Sequence, residues 1–246
     1  DVNQVAVVEL ALSVSPKIRG VSKFSFDILI DGEKYSLGEV GERITDAPAG
    51  TVYFIYNDPA YQSQAEATYD GTAGEIVRSL CVNTQNYGFN TTQHWLLPSG
   101  AINATTIHNA TVAIFGGRFP NVAVNYYETI KELTPVACKI DSTNLWFENR
   151  TGATLGSLPR SVFATPQYRE DMFTVMVFYD EDCDNTFFVM YGIGWKGTWA
   201  SGIYFKDVIS KNLNAYTNEY YIFHWIDNNR QDGIPQSTEI HQEQIN

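Results

Sequence analysis

The residues best suited to chemistry lie near the C-terminus, where DNNRQDGIPQSTE (227–239) spaces oxygen-bearing side chains along a polar stretch. Asp227, Asn229, Gln231, Asp232 and Glu239 imitate a calcium loop, in which alternate oxygens and a late glutamate wrap a hard cation around a turn-forming glycine. Counted from Asp227, Gly233 is seventh and Glu239 thirteenth, each one place later than in the EF-hand. The expectation is therefore Ca2+ on these five residues with one residue inserted, set against a plain polar turn. Asp180, Glu181, Asp182 and Asp184 form a second acidic group, but charges this dense ordinarily face solvent.

Other chemistries find less support. His94, His108, His224 and His241 are scattered without an HExxH pair, and His224 in the apolar run YYIFHWI reads as a structural histidine. No GxSxG elbow is present, and no cysteine has protease-like surroundings. Gly116-Gly117 sits at a strand end before a helix, where backbone amides can cradle phosphate, yet a third glycine and a Gly-Lys-Ser/Thr are lacking. The chain is read as a non-enzyme; carboxylates that meet only in space keep a carbohydrate-active hydrolase as the least favoured alternative.

The formal charge of −12 argues against a nucleic-acid partner, since phosphate binding needs clustered Lys and Arg. No apolar run is long enough to span a membrane. The chain begins DVNQVAVVELAL, without methionine or a basic segment, which reads as a secreted product whose signal peptide has been removed. Four N-glycosylation sequons, at Asn90, Asn103, Asn109 and Asn149, agree with export and imply N-linked glycans. Cys81, Cys138 and Cys183 are too far apart for a local zinc pattern. They leave two readings open, one intramolecular disulfide with a thiol over, or three buried free thiols.

The elements that would position these residues follow from periodicity. Ala6, Val8, Leu10, Leu12 and Val14 alternate as a half-buried strand that could pair with another subunit. KFSFDILI (23–30), a turn at Asp31-Gly32 and residues 35–40 read as a hairpin. TVYFIY (51–56), a helix over 70–83 capped by Asp70 or Thr72, and TVAIF (111–115) read as one parallel βαβ unit, joined by a long loop over 84–109. After Gly116-Gly117 a helix should bury Val122, Tyr126, Ile130 and Leu133 and return to a strand at 136–140. Strands at 173–179 and 186–192 form a hairpin, 197–211 a helix burying Trp199, Ile203, Val208 and Ile209, and 220–226 the last strand. The expected fold is mixed α/β, a mixed sheet with flanking helices around a βαβ core (46–246), preceded by a β-rich portion (1–45).

Three phrases carry a family resemblance. Ile114, Phe115, Gly116, Gly117, Pro120, Asn121, Tyr126 and Tyr127, then YGIGWKGTWASGIYF (191–205) and DNNRQDGIPQSTEI (227–240), resemble segments of archaeal S-layer and related surface proteins. Arg118-Phe119 departs from that pattern, which more often has Pro directly after the glycines. The resemblance implies a self-assembling subunit of a surface layer, sheath or filament, with copies of itself as partner. A secreted adhesin that binds glycans through its aromatic residues is the alternative.

Overall fold

A computed structural model describes residues 9–13, 24–30, 33–40, 52–56, 64–81, 84–87 and 95–243. Strands Glu9–Ser13 (β1), Phe24–Ile30 (β2) and Glu33–Val40 (β3) form a separate antiparallel sheet in the order β1-β2-β3. Leu10 pairs with Ile28 and Leu12 with Phe26, so β1 has a partner within its own chain and, among the described residues, leaves its outer edge unpaired. Val8, Val14 and the Asp31-Gly32 turn lie outside the described residues.

The second sheet is built from Val52–Ile55 (β4), helix Gln64–Arg78 (α1), Thr84–Tyr87 (β5) and Thr111–Phe115 (β6) in its first half. β4 is parallel to both β5 and β6, and lies between them. The βαβ unit is therefore β4-α1-β5, and the stretch expected to be one long loop contains an edge strand. TQNY has no apolar signature, which is why periodicity passes over it. The helix also begins at Gln64, six residues before the expected cap, and Asp70 is buried within it at 1% exposure.

A short helix, Val122–Asn125 (α2), continues as a π-helical turn over Tyr126–Ile130. Its buried residues are Ala123, Val124, Tyr127 and Glu128, whereas Ile130 is 62% exposed, so the expected stripe is displaced. Two anchors set this face: the Asn121 side chain holds the helix start to the end of β6, and the Tyr127 hydroxyl accepts from the Ile102 amide at 3.3 Å. Val136–Ile140 (β7) does not return to the main sheet; it pairs with Asn144–Asn149 (β8), which pairs with Thr154–Pro159 (β9). Arg150 binds the end of the π-helical turn, donating to the Glu128 and Thr134 carbonyls.

Glu170–Asp180 (β10) and Asn185–Gly192 (β11) form the expected hairpin. Helix Trp195–Asp207 (α3) follows, then Tyr220–Ile226 (β12) and Ile240–Gln242 (β13). The completed sheet has the order β13-β12-β10-β11-β6-β4-β5, with β11 parallel to β6 and β10, β12 and β13 joined antiparallel. All five residues of β6 are buried because apolar layers cover both faces. Val112 and Ile114 belong to one core layer with Tyr127, Phe147 and Leu158; Ala113 and Phe115 belong to the other with Ala73, Ala200 and Phe223. α3 is closer to α1 than its sequence stripe suggests: a Cβ on Gly202 would stand 2.8 Å from Ala73 Cα. Trp199 and Ile203 are consequently half-buried, while Thr198, Ala200, Ser201 and Tyr204 point inward. No helix among the described residues is long and apolar enough to cross a membrane.

Candidate functional site

At the carboxyl ends of β6 and β11 the chain leaves the sheet through two glycine turns, and between them opens a cleft of about 840 Å3. Open α/β sheets bind their ligands at this edge. Gly117, Arg118 and Phe119 form one wall and Ile193, Gly194 and Trp195 the other, with Cys138 and Leu145 of the small sheet, Arg160 and Phe163 beyond it, and Asp70 of α1 completing the lining.

The β6–α2 turn is closed by Asn121, which is fully buried. Its Oδ1 accepts from the Ala123 and Val124 amides at 3.0 and 3.3 Å, and its Nδ2 donates to the Phe115 carbonyl at 3.1 Å. One neutral side chain thus caps the helix and ties it to the strand, which is why an Asn follows the glycines. The β11–α3 turn is closed from a distance by Asp171 on β10. Its carboxylate accepts from the amides of Met172, Gly194 and Gly197 at 2.8, 3.0 and 2.7 Å, and from the Tyr168 hydroxyl at 3.2 Å. Burial pushes the Asp171 carboxyl up to about 7, and the four donors pull it back. The anion-binding capacity of the α3 N-terminus is therefore already used by an internal carboxylate.

Arg118 is held differently. It makes no hydrogen bond or ion pair among the described residues, its Nε is buried without a partner, and its guanidinium lies 4.8 Å from the Phe119 ring centre. Beneath it Glu128 is buried at 2% exposure and accepts from the Tyr191 hydroxyl. Burial pushes the Glu128 carboxyl up to about 7, with the Tyr191 hydrogen bond, Arg118 and Arg150 opposing the shift.

No known protein-family model matches the chain, and no curated protein matches it either. The reading of the site thus rests on its own geometry and on where each expected residue falls.

The expected calcium ligands are turned to another use. Asp227 Oδ2 accepts from the Gly233 amide at 2.7 Å, Glu239 from the Asn229 amide at 3.1 Å and the Trp225 indole at 3.2 Å, and Asp232 from the Ile234 amide at 2.9 Å. Gln231 accepts from Arg169 at 3.2 Å, and Asn229 donates to Thr238 at 3.4 Å. Arg169 Nε is also 3.8 Å from Asp227, and the Lys196 ammonium would stand 2.9 Å from a Cβ on Gly233. Lys196 is buried, donates to the Tyr168 carbonyl at 2.8 Å and is lowered in pKa by burial, against the pull of Asp227 and Asp171. The loop folds over cations the chain supplies, and its carboxylates do not converge on one centre. Among the described residues the convergent ligand group is His224, His241 and Glu243.

The acidic turn after β10 is likewise not merely solvated: Lys131 pairs with buried Asp180 and, at 2.7 Å, with Asp182. Cys81, Cys138 and Cys183 are free thiols, so the intramolecular disulfide is absent. Cys81 packs with the opposite face of the sheet from the other two, and burial pushes the Cys138 and Cys183 thiols up to about 12. Of the sequons, Asn103 and Asn149 lie in Asx turns, where each Oδ1 accepts from the hydroxyl of the Thr two residues on at 2.7 and 2.8 Å. Asn109 lies two residues before the start of β6, and its Thr111 is buried at 3% exposure; Asn90 lies outside the described residues. Sequence reasoning missed Asp171 and Glu128, because each pairs with residues distant in the chain, and Arg118, because its lack of a partner shows only in the fold.

Proposed function

We propose that the chain is a structural subunit of an archaeal extracellular surface layer, sheath or filament that assembles with copies of itself. One observation carries this reading. In all three phrases that resemble surface proteins, turn amides are bound by the chain's own side chains, those of Asn121, Asp171 and Asp227. A rigid building block requires such self-satisfied turns, whereas an active site keeps reactive groups available. The exposed Thr105 and Thr151 of two Asx-turn sequons fit a glycosylated outer face, and the outer edge of β1 offers a strand for pairing with a second copy.

The test is electron microscopy of the protein taken from its native surface before denaturant or chelator is added. Regular sheets, hoops or filaments of this chain are the expected result; dispersed monomers would overturn the reading. Deleting residues 1–13 should then abolish the regular contact while leaving the 52–243 portion folded.

Arg118 favours a second reading, a glycan-binding module. An unpartnered guanidinium beside Phe119, in a cleft that Trp195 also lines, suits an anionic sugar, with the carboxylate or sulfate on the arginine and a ring face on the aromatics. Saturable binding of a uronic-acid or sulfated oligosaccharide to the monomer is its signature.

A further inference from the structure

We propose that His224, His241 and Glu243 form a site for a divalent first-row transition metal of the zinc type at the β12–β13 edge of the main sheet. His224 and His241 are directly opposite one another in the antiparallel β12–β13 pair, and their ring centres are 5.0 Å apart. Side chains at i and i+2 share a sheet face, so Glu243 joins His241 on the same side. The His224 Nδ1 to Glu243 Oε1 distance is 3.1 Å and the His241 Nε2 to Glu243 Oε1 distance is 3.5 Å. The three ligand atoms all lie within 4.8 Å of one another. Around a tetrahedral Zn2+ with bonds of about 2.0–2.2 Å, ligand atoms stand roughly 3.3–3.5 Å apart, so two of the three edges are already close to that length.

A second observation points the same way. His224 Nε2 faces Glu170 Oε1 on β10 at 2.9 Å. Met172, two residues after Glu170, is the register partner of His224, so the carboxylate reaches the ring from the neighbouring strand on the same face. A carboxylate on one imidazole nitrogen directs the lone pair of the other toward a metal, and this carboxylate–histidine relay is the usual support of a metal-binding histidine. Hydrogen bonding of His224 with Glu170 and Glu243 explains two of these contacts. It leaves unexplained why His241 directs Nε2 at the same Glu243 oxygen. Two imidazoles and a carboxylate prefer a borderline cation to Ca2+ or Mg2+. Three protein ligands leave the fourth tetrahedral position to water, and the metal would clamp the short β13 onto β12.

The full chain, stripped with chelator and returned to metal-free buffer, is titrated with Zn2+ by calorimetry and with Co2+ by visible absorption. One saturable equivalent and the d–d bands of tetrahedral Co2+ are expected, with Ca2+ failing to compete. His241→Ala, at a side chain 55% exposed, should abolish this equivalent without unfolding the chain. Glu170→Gln should retain the stoichiometry and weaken affinity about 10–100-fold. Absence of saturable uptake, uptake unchanged in His241→Ala and Glu243→Gln, or displacement by Ca2+ would each overturn the site.

Discussion

The turns 116–121 and 192–197 leave the same edge of the sheet, both rich in glycine and both leading from a buried strand into a helix, yet they are secured by opposite means. The first is closed locally by a neutral Asn121 and leaves its Arg118 without a partner. The second is closed by Asp171, a buried carboxylate more than twenty residues earlier, which occupies the place an external anion would take. A strand-glycine-helix phrase therefore does not distinguish a ligand cradle from a self-capped turn. The deciding group belongs to another strand.

The largest effect should come from removing that group. Asp171→Ala leaves three amides and the Tyr168 hydroxyl without their acceptor in a dry site, and should destabilise the chain by about 4 kcal/mol in urea unfolding. Asp171→Asn keeps one acceptor oxygen and should lose about half as much. A loss under ~1 kcal/mol for the alanine variant would mean that the second turn is held by its packing and not by the Asp171 carboxylate.

The glycines sharpen the contrast. A Cβ on Gly197 would stand 2.8 Å from Asp171 Cγ and from Gly192 Cα, so Gly197→Ala must push the carboxylate off its donors, at about 3 kcal/mol. On Gly117 the nearest atom is Tyr191 Cδ2 at 3.3 Å, a ring edge that can yield, and Gly117→Ala should cost under about 1 kcal/mol. Equal costs in the same unfolding assay would remove the distinction between the turns.

This asymmetry marks what the sequence could disclose. The buried strand TVAIF, the hairpin β10–β11 and the strand YYIFHWI are legible because burial on one or both faces imposes their apolar pattern. β5 was illegible because TQNY pairs through its backbone without an apolar signature. The face of α2, and in α3 the positions of Trp199 and Ile203, are not legible for a different reason, although Ile209 is buried as expected: Asn121, Asp171 and the close contact of Gly202 with Ala73 orient these helices, and such anchors act through tertiary distance. The polar phrase 227–239 was legible as a turn but not in its use, since Lys196 and Arg169, which neutralise it, come from other segments. His224 and His241 meet only through strand pairing, which no spacing rule for local ligands contains.

Below the cleft, Glu128 gives a pH-dependent measure of the first turn. Its carboxyl is raised by burial from 4.5 to about 7, so the folded state holds a proton that the unfolded state releases between those values. The contribution is fully present below pH 4.5 and is lost as pH rises through about 7, amounting to roughly 3 kcal/mol across the window. Asp171 acts in the same direction, so Glu128→Gln should reduce the fall in stability with rising pH without abolishing it. An unchanged slope in denaturant titrations between pH 4.5 and 8 would show that Glu128 ionises in the fold as it does in water.

The smallest change in stability should accompany the sharpest change in binding. Arg118 contributes no hydrogen bond to the fold, and its buried Nε lacks an acceptor, so Arg118→Ala should alter unfolding by less than about 0.5 kcal/mol. The same substitution removes a positive charge that lowers the Glu128 carboxyl in the fold, so the fall in stability, still beginning near pH 4.5, should extend to higher pH. If the open turn serves a ligand, the variant also loses affinity for uronic-acid and sulfated oligosaccharides, and Arg118→Lys restores it only in part because an ammonium cannot offer the paired donors of guanidinium. The Asp171 turn supplies the control, since its helix N-terminus is already satisfied and Lys196→Met should leave anion binding at the Arg118 wall intact. Binding lost equally in both variants would place the anion at the α3 turn, and the contrast between an open and a closed turn would fail.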